Sequence, residues 1–354
     1  MSEQKRILLL GGTGAMGTYL VPELSARGYA VLVTSRKPHV TDDPNVTYLL
    51  GNAKDDAFFA ELMRSRYDAI VDFMIYNTES FAARRDALLD HTDHYLFLSS
   101  YRVYADAGKT PITEQSPRLL DTVRDAAYLK TDEYALTKAR QEDLLRASGR
   151  KNFTIVRPAI TYSFGRFQLG TMEANEFLGP AVRGEPVPFP RDLLDKQTTM
   201  TDARDVAKML AALVLNEAAF GETYTAATAE HHSWREVIGI YRTVTDLRIR
   251  PVSTQAYLDR IGRPWQIKYD RMFDRIIDNG KILQISGLKQ SDLTPLAEGL
   301  PAELRRFLDD PEAAKRVLSA GGPPQKRGLL RRIKERLYRI SAIRKAAQKV
   351  KGRK

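Results

Sequence analysis

The stretch Ile7-Leu8-Leu9-Leu10-Gly11-Gly12-Thr13-Gly14-Ala15-Met16-Gly17 decides the fold. A short apolar run of strand length stops at Gly-x-x-Gly-x-x-Gly, and residues 19–27 beyond it carry helical spacing. Glycine supplies the unusual dihedrals of so sharp a turn and lets the backbone come close to a pyrophosphate. The helix N-terminus behind it offers unpaired N–H groups and the positive end of a dipole to the phosphates. A dinucleotide of the NAD(P) kind is therefore expected on Gly11, Gly14 and Gly17, with Ala15 inside the turn. A tight turn without ligand is the competing reading, and the strand–turn–helix context argues against it.

Outward from this turn, apolar runs alternate with helical patterns. Strands are expected at residues 7–10, 30–34, 46–50, 69–74 and 95–99, with helices at 19–27, 57–65 and 80–90. Continuous apolar strands joined by helical crossovers imply a parallel sheet covered on both faces. The order βαβαβ is that of a doubly wound dinucleotide fold. A helix over 132–147 and a strand over 154–157, closed by Pro158, follow. Beyond Pro158 the pattern loosens, although a helix near 203–215 and a strand near 222–226 are expected to return to the main sheet. Residues 233–309 are poorly periodic, and Gly321-Gly322-Pro323-Pro324 reads as a linker. The expected class is α/β: a doubly wound parallel Rossmann sheet with a smaller C-terminal substrate lobe and a basic amphipathic helical tail. Residues 1–160 form the NAD(P)-binding domain, 161–320 the lobe, and 321–354 the linker and tail.

Composition narrows the function classes. With 354 residues, 43% of them apolar, the chain can bury a sizeable core. No apolar run reaches bilayer length, and no leader is expected before a strand that begins at Ile7. The absence of cysteine excludes disulfides, thiolate ligands and a cysteine nucleophile. A cytoplasmic protein is expected. His91 and His94 sit three apart and His231-His232 are adjacent, but no third ligand accompanies either pair, so no metal is expected.

The net charge of +11 suggests nucleic acid until its distribution is considered. Thirteen Lys/Arg residues and one acid lie between Lys326 and Lys354, leaving the preceding chain near neutrality. Leu329, Ile333, Leu337, Ile340, Ile343, Ala347 and Val350 recur there at helical spacing. Such a basic amphipathic helix suits an anionic membrane surface, which would place the protein peripherally at the inner face of the membrane. A nucleic-acid arm, the less favoured reading, and a merely solubilising tail compete with it.

The second strand ends in Thr34-Ser35-Arg36-Lys37, where NAD-binding chains tend to carry an acid for the ribose 2′-OH. Arg36 can instead pair with a 2′-phosphate, so NADP is the expected cofactor and NAD the alternative. Tyr134-Ala135-Leu136-Thr137-Lys138 places a phenol and an ammonium one helical turn apart. The ammonium is expected to lower the phenol pKa toward neutrality, making Tyr134 a proton donor or acceptor during hydride transfer. Ser100, at the end of the fifth strand, can hydrogen-bond the reacting oxygen.

These residues resemble the extended short-chain dehydrogenase/reductases of the NAD-dependent epimerase/dehydratase group, which act mostly on nucleotide sugars. The resemblance covers about residues 5–300. It includes Gly51-Asn52-Ala53-Lys54-Asp55, Ser99-Ser100-Tyr101-Arg102-Val103-Tyr104, Val156-Arg157-Pro158 and Asp205-Val206-Ala207. It implies a catalytic triad of Ser100, Tyr134 and Lys138, with Lys138 also holding the nicotinamide ribose. It further implies cofactor contacts from Thr13, Met16, Asn52 and Ala53, and from Phe73, Met74 and Ile75 at the end of the fourth strand. Ser35 and Arg36 complete the expected cofactor set. A homodimer is common in the group.

Departures from the family pattern refine the expectation. Tyr101 and Arg102 stand where dehydratases of the group carry Asp-Glu, which disfavours dehydration. Asn52 replaces an acid and Ala105 a glycine. Thr198 and Thr199 occupy the place of an arginine that grips the substrate diphosphate, with Arg191 and Lys196 upstream. The leading expectation is an oxidoreductase or epimerase acting on a nucleotide-activated sugar. The alternatives are a reductase of another small carbonyl substrate and a non-catalytic relative that binds RNA or protein.

Overall fold

The computed structural model describes residues 4–108 and 110–318; the Gly321 linker and the tail from Lys326 to Lys354 lie outside them. Six strands come from the first half of the chain: β1 (Arg6–Leu10), β2 (Ala30–Ser35), β3 (Val46–Leu50), β4 (Tyr67–Asp72), β5 (Thr92–Leu98) and β6 (Phe153–Val156). A seventh, β7 (Thr223–Tyr224), returns from the second half. They form one sheet in the order β7-β6-β5-β4-β1-β2-β3, with every pairing parallel.

The apolar run of β1 explains the layering. Side chains alternate across a strand, so both faces must be covered when every residue is apolar. Ile7 and Leu9 pack with Leu20, Leu24, Val206 and Leu210 on one face, and Leu8 and Leu10 with Phe59, Phe81 and Leu88 on the other. All four strand residues have no exposed surface, and each contributes about 1.5–3 kcal/mol by leaving water. The covering helices are α1 (Gly17–Ser25), α2 (Asp56–Leu62), α3 (Thr78–Asp90), α4 (Tyr134–Arg146) and α5 (Ala203–Leu213). Asp55 caps α2 by accepting from the Phe58 amide at 3.0 Å, and Asn77 caps α3 by accepting from that of Ser80 at 2.7 Å.

Strand order reverses at β1, which lies between β2 and β4. In open α/β sheets such a reversal opens a crevice at the C-terminal strand ends. Leu10 and Asp72, the last residues of β1 and β4, are paired across it.

The second half is more regular than its sequence suggests. Helices Ala174–Arg183, Trp234–Arg242 and Leu296–Asp309 share an apolar cluster containing Phe177, Trp234, Tyr241, Leu300 and Phe307. The parallel strands Ile160–Tyr162 and Met200–Asp202 join them. The expected weak periodicity of residues 233–309 has a local cause. Helix Thr254–Ile261 stops at Gly262 and Arg263, both at positive φ of 77° and 62°, before Pro264. Pro301 lies inside another helix. No helix among the described residues is long and apolar enough to cross a membrane.

Candidate active site

The glycine turn leaves β1 at the crevice. Gly11 is left-handed, with φ of 72°, and a Cβ there would also lie 2.8 Å from the Met74 Sδ. A Cβ on Gly17 would lie 2.3 Å from the Gly12 carbonyl oxygen, so glycine lets α1 pack against the turn. Gly14 differs: a Cβ there would meet nothing nearer than the Gly11 oxygen at 3.8 Å. Protein packing does not require glycine at position 14, whereas the close approach of a pyrophosphate does. Helix α1 starts without a side-chain cap and without an acid in its first turn, leaving its positive end for an anion. These features fit a dinucleotide. The Gly11 amide is already committed to the Thr34 Oγ1 at 2.8 Å.

The expected cofactor contacts surround this turn. Thr13 and Gly14 are exposed, and Ala15 and Met16 half-buried. Ser35 is buried at the end of β2, where its hydroxyl accepts from the Lys37 amide at 3.2 Å. Arg36 is exposed and makes no ion pair among the described residues. Asn52 is exposed and accepts from the Lys54 amide, whereas Ala53 is buried with its carbonyl held by Arg84. Phe73 and Met74 follow β4 into the crevice, and Ile75 beside them is 57% exposed.

Ser100, Tyr134 and Lys138 converge at the end of β5. Ser100 Oγ accepts from the Arg102 amide at 3.2 Å and lies on the phenol side of Tyr134, where it favours the ionised form. Glu133 caps α4 through the Ala135 amide at 2.8 Å, fixing Tyr134 as the first residue of the helix. Lys138, one turn on, is buried with Nζ 4.6 Å from the centre of the Phe97 ring. Phe97 is the β5 partner of Asp72, so Lys138 sits above the strand end that carries this acid.

The electrostatics correct one expectation. Burial raises the Tyr134 pKa above its ordinary value, and the foremost charge opposing that rise is the Arg102 guanidinium. Its Cζ lies 5.3 Å from the Tyr134 ring centre. Burial lowers the Lys138 pKa to about 8, against the attraction of Asp72 and Glu142. The resting phenol is therefore protonated at neutral pH. The i, i+4 spacing gives a shared helix face, but not the burial that outweighs the neighbouring charge.

Several supporting groups escape a linear reading. Asp72 is 1% exposed; burial pushes its pKa up to about 6, while it accepts from the Tyr95 hydroxyl and the Met74 amide, both at 2.8 Å. An acid closing the apolar run Ala69-Ile70-Val71 was the available signal. Glu142, on the α4 face of Tyr134 and Lys138, pairs with Arg157 at 2.8 and 2.6 Å and accepts from the Ser99 hydroxyl at 2.6 Å. Thr199 donates to the Arg275 carbonyl, and Thr198 is buried. Arg271 and Arg275 converge on buried Asp270.

His94 is a core residue, with its ring nitrogens held by Thr154 and the Leu215 amide. His232 pairs with Glu230, while His231 is exposed.

This fold and site define an NAD(P)-dependent enzyme of the extended short-chain dehydrogenase type. The sequence matches the NAD dependent epimerase/dehydratase family over residues 7–227, and the chain belongs to that family. It is 25% identical over 257 residues to a 2'-dehydrokanamycin reductase of Streptomyces kanamyceticus, covering 71% of this chain and 70% of that relative. Among solved structures it is similar to the UDP-glucuronic acid 4-epimerase of Bacillus cereus in complex with UDP-glucuronic acid and NAD. That match has a TM-score of 0.66 at 14% identity and covers 86% of this chain and 99% of the other. MoeE5 in complex with UDP-glucose and NAD gives a TM-score of 0.64 at 20% identity, with the same coverages.

Proposed function

We propose that the protein transfers hydride at a hydroxyl or keto carbon of a nucleotide-activated sugar, as an oxidoreductase or epimerase, and prefers NADP. The convergence of Ser100, Tyr134 and Lys138 at the mouth of the glycine-turn crevice carries this reading. When bound, the nicotinamide supplies the hydride acceptor or donor. In hydroxyl oxidation the Tyr134 oxygen, as phenolate, takes the substrate proton; in keto reduction it returns one. Ser100 orients the substrate oxygen, and Lys138 holds the cofactor ribose. Arg36 favours the 2′-phosphate of NADP, since an exposed guanidinium at the end of β2 can form a bidentate pair with it.

Turnover of a panel of 4-keto and 4-hydroxy nucleotide sugars, followed through NADPH, tests the reading. Tyr134→Phe is expected to retain NADPH binding and to lose turnover by at least about a hundredfold. Undiminished turnover would remove Tyr134 from the mechanism. A second reading, a reductase of another small carbonyl substrate, is favoured by the kanamycin-type relative and by Thr198 and Thr199 in place of a diphosphate arginine. Activity on small ketones without activity on any nucleotide sugar would select it. For the tail from Lys326 to Lys354 our reading remains an anionic membrane surface. Anionic liposomes are expected to sediment the full chain but not a chain ending at Gln325.

A further inference from the structure

Tyr134 has a charged neighbour that its helix does not supply. Arg102 reaches it from the turn after β5, and its side chain is only 13% exposed. The guanidinium is tied on two sides. One arm donates to the Glu133 carboxylate, and Nε lies 3.2 Å from the Asp270 Oδ2. Asp270 belongs to a π-helix, Ile267–Arg271, in the C-terminal half of the chain. Arg271 and Arg275 share the same carboxylate, while Arg271 also donates to the Tyr101 hydroxyl at 2.8 Å. Burial opposes the Arg102 charge, but Asp270 and Glu133 outweigh it and keep the guanidinium ionised. Glu133 is held in turn by the Tyr128 hydroxyl at 3.0 Å. Lys138, on the same helix as Tyr134, instead stands over Phe97 with Asp72 and Glu142 as the charges that favour its ammonium form.

We propose that Arg102 is a positioning residue for Tyr134: a buried guanidinium, tethered by Glu133 and by Asp270 of the π-helix, that faces the phenol ring and steadies the phenolate. This role builds on the reading of Tyr134 as the acid/base, and it divides the work of two cations. Arg102 serves the phenol, leaving Lys138 free for the cofactor. It also ties the proton-transfer group to an element of the C-terminal half.

The charges around the phenol make the effect signed. Arg102 and Arg166 favour the phenolate, and Glu133 opposes it. A cation about 4–6 Å away commonly moves an acid by a unit or more. Protein labelled with a carbon isotope at tyrosine Cζ can be titrated by NMR without substrate or cofactor, with the Tyr134 signal identified by its loss in Tyr134→Phe. Arg102→Gln is expected to raise the Tyr134 midpoint by about one pH unit or more, and Arg102→Lys to leave it near that of the parent. An unmoved midpoint in a folded Arg102→Gln protein would overturn the proposal. If Arg102→Gln does not fold, Arg102→Met decides by the same reading: a raised midpoint supports the proposal, and an unmoved or lowered one overturns it. Because no turnover is measured, this result stands apart from the test of Tyr134 as the catalytic acid/base.

Discussion

Acidification should weaken the fold through one histidine. His94 lies on β5 with no exposed surface. Its Nδ1 accepts from the Leu215 amide at 3.0 Å, so the ring proton belongs on Nε2, which faces the Thr154 hydroxyl at 2.8 Å. The Thr154 hydroxyl donates in turn to the Ala219 carbonyl. A second ring proton would point at the Leu215 N–H, breaking a bond that holds a leucine at φ 58°, and would bury a charge. Burial lowers the His94 pKa from 6.5 to about 3. The unfolded chain therefore takes up the proton first. The associated stability is complete above pH 6.5, declines as pH falls, and is lost by about pH 3. At 1.36 kcal/mol per unit, acidification to about pH 5 removes about 2 kcal/mol. Denaturant unfolding of the parent and of His94→Gln, each at about pH 7.5 and pH 5, isolates this share, because the carboxylates contribute to both proteins. The parent is expected to lose about 2 kcal/mol more than the variant. Equal losses would show that His94 is not kept neutral by the fold.

Three further outcomes follow from the site. Arg36→Ser should weaken NADPH binding by about tenfold or more, as a lost charge-assisted bond implies, and leave NADH binding unchanged in a fluorescence titration. Lys138 is charged below its pKa of about 8, so NADPH affinity should fall as pH rises through that value; Lys138→Met should bind more weakly and without that dependence. Glu142→Gln leaves the buried Arg157 guanidinium without its carboxylate, which should cost about 3–5 kcal/mol in denaturant unfolding.

The parallel sheet was legible because its signals are local. Ile7 to Leu10 announce a strand buried on both faces, and Gly11 to Gly17 announce the turn; neither depends on a distant residue for its pattern. The Tyr134–Lys138 face was legible for the same reason, since a helix fixes the relation of i to i+4. Strand ends were displaced by a residue or two, as at β4, which stops at Asp72 rather than Met74. The C-terminal half read poorly because its helices are interrupted at Gly262, Arg263 and Pro264, and their apolar faces meet only after folding.

What the linear pattern could not supply was the charge state of the site. The spacing of Tyr134 and Lys138 suggested a cation lowering a phenol, yet burial acts on both groups and moves them toward their neutral forms. The counter-charges arrive from elsewhere: Asp72 through strand pairing, Glu142 from further along α4, Arg102 from the turn after β5 and Asp270 from the π-helix. A motif therefore identifies which groups meet, whereas the proton each group carries depends on how many water-excluding and charged neighbours the fold assembles around it. In this chain the difference has a structural consequence. The cation facing the phenol is held by Asp270, so rearrangement of the π-helix at Ile267–Arg271 would alter the electrostatics at Tyr134 without displacing any member of the Ser100–Tyr134–Lys138 set.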